Sequence, residues 1–279
     1  MQIPSCAKMA LGVLQGLKAK LFVVLEMEKF MTIDVCVVTK NGILPKGLEN
    51  IPYKNLIINT SVPLGRARML AIQDVTLEFF AFIDDDMEIE KGWLEELLPL
   101  FKNPKIGAVS GICEYRGLGA KYDEAVNKYR RHRKYLKRGE RGYTHNVIFR
   151  TEVVKDWRPS HKELSVYEDY ELTQHVLKKG YLWLDTPAKS IHHVSWTHVG
   201  RNARWAGRDW LKVCRPAPAE VLISCAKKIG ISPFVILVKT RSIHQAIEAF
   251  YRGINFVAGF LRIPFGRMRW RARYQCISS

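Results

Sequence analysis

The eight residues Phe79 to Asp86, FFAFIDDD, restrict the fold more than any other stretch of this chain. Five apolar residues run directly into three carboxylates, the pattern of a strand covered on both faces whose end opens onto a polar crevice. A solvated acidic turn is the plainer alternative. Three adjacent negative charges repel one another, however, and a hard divalent cation with oxygen ligands is the usual neutraliser. In open α/β sheets, ligands sit outside the carboxyl ends of the strands.

The surrounding chain supplies the rest of such a sheet. Ile33–Thr39 is a continuous apolar run that predicts a buried strand, with a turn at Lys40, Asn41 and Gly42 and a second short strand over Asn55–Asn59. Pro63 predicts a helix start leading into Leu64–Asp74, which places Arg66 and Arg68 where backbone N–H groups and guanidinium forks favour an anion. A helix over Trp93–Phe101, a strand over Ile106–Ile112, a strand over His145–Arg150 and a short helix over Thr151–Trp157 follow. A further helix begins at Tyr167-Glu168-Asp169 and closes at Gly180. Two last strands are read over Tyr181–Asp185 and Lys189–Val194, the second ending in His192-His193. Alternating strands and helices predict an α/β domain with a mostly parallel central sheet flanked by helices.

Glu168 and Asp169 in the first turn of a helix are stabilised by its dipole whether or not they have a further task. An Asp held ionised there is also poised to accept a proton. A histidine in a strand is usually a packed core residue, yet a neutral imidazole is also a ligand that completes a cation site. Both readings stand for each.

With 44 Lys and Arg against 27 Asp and Glu, the net charge of +17 implies anionic partners: nucleic acid, nucleotide phosphates or lipid phosphates. The segment 128–141 concentrates cations among Tyr129, Tyr135 and Tyr143; it reads either as a solvated face or as an anion-facing surface. The six cysteines have neither C-x-x-C nor zinc spacing, which implies a reducing compartment and a core that folds without staples. Residues 1–30 read as an amphipathic leader, with the folded domain expected over 31–215 and a basic helical extension over 216–279. The apolar runs Ile231–Val238 and Ile254–Phe265 are too short or too interrupted to span a bilayer, so no transmembrane helix is expected.

The order of these features resembles the inverting GT-A glycosyltransferases of family two: a first strand ending in Thr39-Lys40-Asn41, Gly65-Arg66-Ala67-Arg68, FFAFIDDD, Glu168-Asp169 with Leu172 and Gly180, and a strand ending in His193. The resemblance covers roughly residues 31–200. It implies a GT-A fold and transfer of a sugar from a nucleoside-diphosphate-sugar donor to a glycan or lipid-linked hydroxyl acceptor, as in polysaccharide biosynthesis. Asp86 and His193 would hold Mn²⁺ or Mg²⁺, with Asp84 and Asp85 near ribose and sugar, and Thr39, Lys40, Asn41, Asn59 and Arg68 on the nucleotide side. Asp169 is similar to the catalytic base, and Glu168 would meet the acceptor. Arg201-Asn202-Ala203-Arg204-Trp205 is similar to the Q-x-x-R-W signature of processive synthases with Arg in place of Gln. With no transmembrane helices expected around it, the resemblance implies a non-processive enzyme in which Arg201 or Arg204 steadies the diphosphate. Asn59-Thr60 stands where the family often has an Asp and a Ser-rich turn, and Met69 where it has Asn.

A nucleotidyltransferase of related fold would want a glycine- and lysine-rich phosphate loop near the first strand, and none is present. A nucleic-acid-binding protein would explain the charge, but the acidic clusters oppose a polyanion; no nucleic-acid partner is expected. In the tail, Ile243, Ile247, Phe250, Ile254 and Val257 form one apolar stripe, which most often packs on its own domain. The arginines Arg262, Arg267, Arg269, Arg271 and Arg273 among aromatic residues match an interfacial anchor on an anionic leaflet. The expected location is cytoplasmic, peripheral on the inner face of the membrane.

Overall fold

The computed structural model of the chain describes residues 32–128, 134–161 and 163–262. The expected leader, Tyr129 to Arg133 of the basic segment and the arginine-rich tail beyond Arg262 lie outside them.

FFAFIDDD forms the centre of an eight-stranded sheet in the order β2-β1-β3-β7-β5-β8-β4, with β6 pairing β8. The strands are β1 (Ile33–Val38), β2 (Tyr53–Asn59), β3 (Phe79–Asp84), β4 (Met87–Ile89), β5 (Ile106–Arg116), β6 (Lys134–Tyr135), β7 (Asn146–Arg150) and β8 (Leu182–His193). The helices are α1 (Leu64–Asp74), α2 (Trp93–Leu97), α3 (Lys121–Lys128), α4 (Thr151–Val154), α5 (Glu168–Lys178), α6 (Trp196–Cys214), α7 (Pro218–Thr240) and α8 (Ile243–Phe260).

Alternation along the strands divides the core into two layers. Ile33, Val35 and Val37 with Ala81 and Ile83 face Trp93, Leu94 and Leu97. Cys36, Phe80 and Phe82 face the other way, against Ala71, Ile72, Leu172 and Val176. Phe149 on β7 stacks on Phe80 at 5.4 Å and meets Phe82 edge-on at 6.0 Å, packing β7 against one face of β3. Asp34 interrupts the apolar run of β1 and is fully buried; it accepts from Asn55 and from the backbone N–H groups of Thr76 and Leu77, which satisfy its charge.

Three of the differences from the sequence reading concern the sheet and α7. The sheet is mixed: β1 pairs β2 and β3 in parallel and β5 pairs β8 in parallel, but β7 is antiparallel to both β3 and β5. The connection after β5 returns to the sheet at the edge where β5 ended, so β7 must run backwards; apolar periodicity carries no direction. The two strands read at 181–185 and 189–194 are one strand, β8. Pro187 is accommodated because β6 and β4 pair with β8 on either side of it and leave its missing N–H without a ladder partner. Finally, α7 is a continuous 23-residue helix, long and apolar enough to cross a membrane, where no such helix is expected from its separate apolar runs. It passes Lys227–Ile231 as a π turn just before Pro233, the kind of local register change that lets a helix continue past a residue without an N–H.

Candidate active site

The three aspartates leave β3 at the carboxyl edge of the sheet and take three different partners. Asp84 accepts two hydrogen bonds from Nη2 of Arg68, at 2.8 and 3.1 Å. Arg68 is almost wholly buried on α1, and its Nη1 lies 3.5 Å from Oε1 of Glu168 at the start of α5. Gly65, one turn earlier, permits this: a Cβ there would crowd Glu168 and Leu164 at 3.3 Å. One guanidinium thus ties the acidic end of β3 to the acidic end of α5. Burial pushes the Asp84 carboxyl up to about 6 despite Arg68. Burial and then the neighbouring charge of Asp169 raise Glu168.

Asp85 accepts a hydrogen bond from the Thr39 hydroxyl at 2.8 Å, joining the ends of β1 and β3. The Thr39 N–H donates to the Asn59 carbonyl, and the Asn59 side chain accepts from Ser61 N–H, so Asn59 shapes the turn after β2. Lys40 and Asn41 are exposed beside it. Arg201 is close enough to act on both Asp85 and Lys40: burial and then its charge lower the Lys40 ammonium, and it opposes the rise that burial causes at Asp85.

Asp86 faces two histidines, with Oδ1 3.1 Å from His192 Nε2 and Oδ2 3.2 Å from His198 Nδ1. Burial would raise Asp86, but His192, His198 and His145 outweigh it and hold the carboxyl down at about 2. Burial lowers His198 to about 4, which leaves the ring neutral. One donor atom from each of Asp86, His192 and His198 lies within 4.8 Å of the others. One carboxylate and two imidazoles suit Mn²⁺ as well as Zn²⁺ or Fe²⁺. Both ring nitrogens of His192 and Oδ1 of Asp86 are buried without hydrogen-bond partners in good geometry, so the set fits a cation.

His193, expected to close this site, does not reach it. Successive side chains of a strand point to opposite faces, and His193 turns outward to Glu88 at 2.8 Å while its neighbour His192 faces Asp86. The other histidine, His198, comes from α6, a helix absent from the sequence reading. Its signal was available: the Ser195 hydroxyl caps the helix by accepting from His198 N–H, a Ser immediately before the first turn. Asn202, one turn on, contacts Nε2 of His198 at 2.5 Å and leaves Nδ1 for Asp86.

Asp169 follows Glu168 at the start of α5, and both are buried. Its Oδ1 lies 2.7 Å from Nε of Arg141 and accepts from the Tyr170 N–H. Arg141, from the basic segment, stacks over Tyr167 at 5.3 Å. At least one cation of that segment therefore serves the site from within. Arg204 donates to Asn255 of α8 at 2.8 Å. Arg201, Arg204, Trp205, Arg208, Lys212 and Arg262 line a cavity of about 580 Å³ along α6.

Residues 50–156, which include all three aspartates, match the family model described as Glycosyl transferase family 2. The structure superposes on the mannosyltransferase PcManGT from Pyrobaculum calidifontis, solved in complex with GDP-Man and Mn²⁺. The TM-score is 0.50 at 13% identity, covering 83% of this chain and 87% of that one. The fold is GT-A. Residues 1–349 of S. aureus TarS, in complex with UDP-GlcNAc, superpose with a TM-score of 0.41 at 13% identity, covering 82% of each chain. No curated protein matches the chain in sequence. On the GT-A sheet the aspartates and the first turn of α5 occupy the carboxyl edge, where the general rule for such sheets puts the ligand.

Proposed function

We propose that this chain is a metal-dependent, inverting, non-processive glycosyltransferase that moves a sugar from a nucleoside-diphosphate-sugar to a hydroxyl of a glycan or lipid-linked acceptor. The observation that carries the reading is Arg68. By holding Asp84 and Glu168 together, it brings the donor-side and acceptor-side acids to one edge of the sheet. The family match over residues 50–156 supports the same reading.

Asp86, His192 and His198 would hold Mn²⁺ in preference to Mg²⁺, whose ligands are oxygens, and the ion would neutralise charge on the departing diphosphate, a Lewis-acid contribution of several kcal/mol. The complex of PcManGT with GDP-Man and Mn²⁺ on the same fold accords with that role. Thr39 orients Asp85 toward the ribose side of the donor, and Lys40, Asn41 and Arg201 face its phosphates and nucleobase.

Asp169 takes the proton from the acceptor hydroxyl as its oxygen attacks the anomeric carbon and the bond from that carbon to the diphosphate breaks. Attack from the face opposite the leaving group inverts the centre. Arg141 and the Tyr170 N–H both engage Oδ1, which leaves Oδ2 for the acceptor. Glu168, kept protonated by burial, can donate a hydrogen bond beside it.

Thermal denaturation with a panel of nucleoside diphosphates, each with and without Mn²⁺, tests the reading. Ligand bound at 100 times its Kd stabilises by about 2.7 kcal/mol, so one nucleotide should raise Tm by several degrees when metal is present. Salt-sensitive binding to any oligonucleotide, with no such shift, would overturn it in favour of a nucleic-acid-binding protein.

A further inference from the structure

The catalytic reading leaves α7 and α8 unexplained. None of α7 is buried, although its composition is that of a buried or membrane helix. Leu222 is 72% exposed, Phe234 66% and Val238 61%, and on α8 the stripe Ile243, Ile247, Phe250 and Ile254 stands in solvent beside them. Contiguous exposed apolar surface of this extent marks an interaction site.

We propose that the α7–α8 hairpin seats the protein on an anionic lipid bilayer, with the outer face of both helices in the boundary between headgroups and acyl chains. The partner follows from charge. Lys227, Lys239, Arg241 and Arg262 fringe the apolar face, Glu220 and Glu248 are the acids of the whole segment from 216 onward, and Glu248 is buried against Arg252. A second copy would set one basic fringe against another, whereas anionic headgroups neutralise it.

The hairpin lies flat because its inner face is welded to the catalytic domain. A Cβ on Gly207 of α6 would stand 1.9 Å from the Phe256 carbonyl oxygen, and one on Gly259 of α8 would stand 2.0 Å from that of Arg204. A Cβ on Gly253 would stand 2.3 Å from the carbonyl oxygen of Lys228, so α7 rests on α8 as closely as α8 rests on α6. Lys228 adds a cation–π contact to Phe256 at 4.4 Å. Tied at Lys228 to a helix that itself packs on α6, α7 cannot stand upright through a membrane without carrying the domain with it. The cavity lined by Arg262, at the end of α8, and by Arg201, whose charge acts on Asp85, is basic but for Glu163, which pairs with Lys212. If the transferase reading holds, a phosphate-bearing lipid acceptor would reach the site along that wall.

The test is flotation of the full chain with vesicles of phosphatidylcholine alone or mixed with phosphatidylglycerol. Wild type should float with the anionic vesicles, less so in high salt, and should be released by alkaline carbonate. Phe234→Glu and Val238→Glu, both at exposed positions, should each weaken vesicle binding about tenfold or more. Circular dichroism and the nucleotide-dependent thermal shift should remain those of wild type. The proposal is overturned if wild type stays with the soluble fraction, if the variants float like wild type, or if carbonate fails to extract the protein. It is equally overturned if wild type is a dimer that the substitutions dissociate and neither form binds vesicles. The nucleotide-dependent shift reports on the transferase reading separately, so either idea can fail alone.

Discussion

Replacing Arg68 with methionine keeps most of the side-chain volume and removes the charge shared by buried Glu168 and partly buried Asp84. In the wild type, Arg68 is 1% exposed, bonds Asp84 through Nη2 at 2.8 Å and faces Glu168 at 3.5 Å. Its guanidinium also lies 5.4 Å from the centre of the Phe82 ring. Removing one partner of a buried pair costs roughly 3–5 kcal/mol, because the other charge stays behind. At about 2–4 °C per kcal/mol for a chain of this size, Tm should fall by roughly 6–20 °C. The loss should depend on pH, and the sign can be worked out from Glu168. Burial already raises this carboxyl above its ordinary value, and Arg68 opposes that rise. A group whose folded pKa lies above its unfolded one contributes stability that is present below the unfolded value and lost as pH rises through the folded value. Without Arg68 the Glu168 carboxyl moves higher still, so the variant should compare best with wild type near pH 5 and worst near pH 8.5. Melting curves across that range measure it, and adding Asp84→Asn and Glu168→Gln should restore most of the loss. A Tm drop under about 3 °C at pH 8, or a drop of the same size at every pH, would refute the account of Arg68 as the shared cation.

Asp169→Asn should lower turnover by about 10²–10⁴ while the nucleotide-dependent thermal shift persists, since general-base help is worth that much and donor contacts lie elsewhere. His198→Ala should weaken Mn²⁺-dependent nucleotide binding about tenfold or more in calorimetry, whereas His193→Ala, one residue from His192 but on the opposite face, should leave it unchanged. Gly207→Val drives a side chain into backbone that stands 1.9 Å from its Cβ, so α8 should separate from α6, detected as faster limited proteolysis of the α7–α8 segment and a lower Tm. Glu168→Gln should flatten part of the fall of wild-type stability between about pH 5 and pH 8.5, because this raised carboxyl, with Asp84, keeps in the folded state a proton that the unfolded chain has already lost.

Much of the donor edge is legible in the chain itself. An apolar run ending in three aspartates names its own strand and its own polar end, and Pro63, Gly65 and Gly180 bound helices through backbone chemistry that acts within a few residues. Gly180 does take the positive φ expected of a helix stop. Strand direction was not legible: β7 reads as any buried strand, and only the route of the connection after β5 turns it round. The length of α7 was hidden for a related reason. Lys227, Lys228, Gly230 and Pro233 each look like interruptions, yet a π turn carries the helix through the first three and on past Pro233.

The histidines mark the boundary most sharply. The pair His192-His193 is plain in the sequence, but a strand offers its two faces to adjacent residues, and which face meets Asp86 depends on how β8 pairs with β4 and β5. His198 arrives from a helix whose start Ser195 caps and whose packing against α8 sets its place. Local chemistry, then, determined which segments are strands, where the acids cluster and that the surface is basic. Which imidazole meets which carboxylate, and that Arg68 joins two acids 84 residues apart in number, was decided by packing, since contacts across a sheet follow from strand order and facing, which no span of adjacent residues encodes.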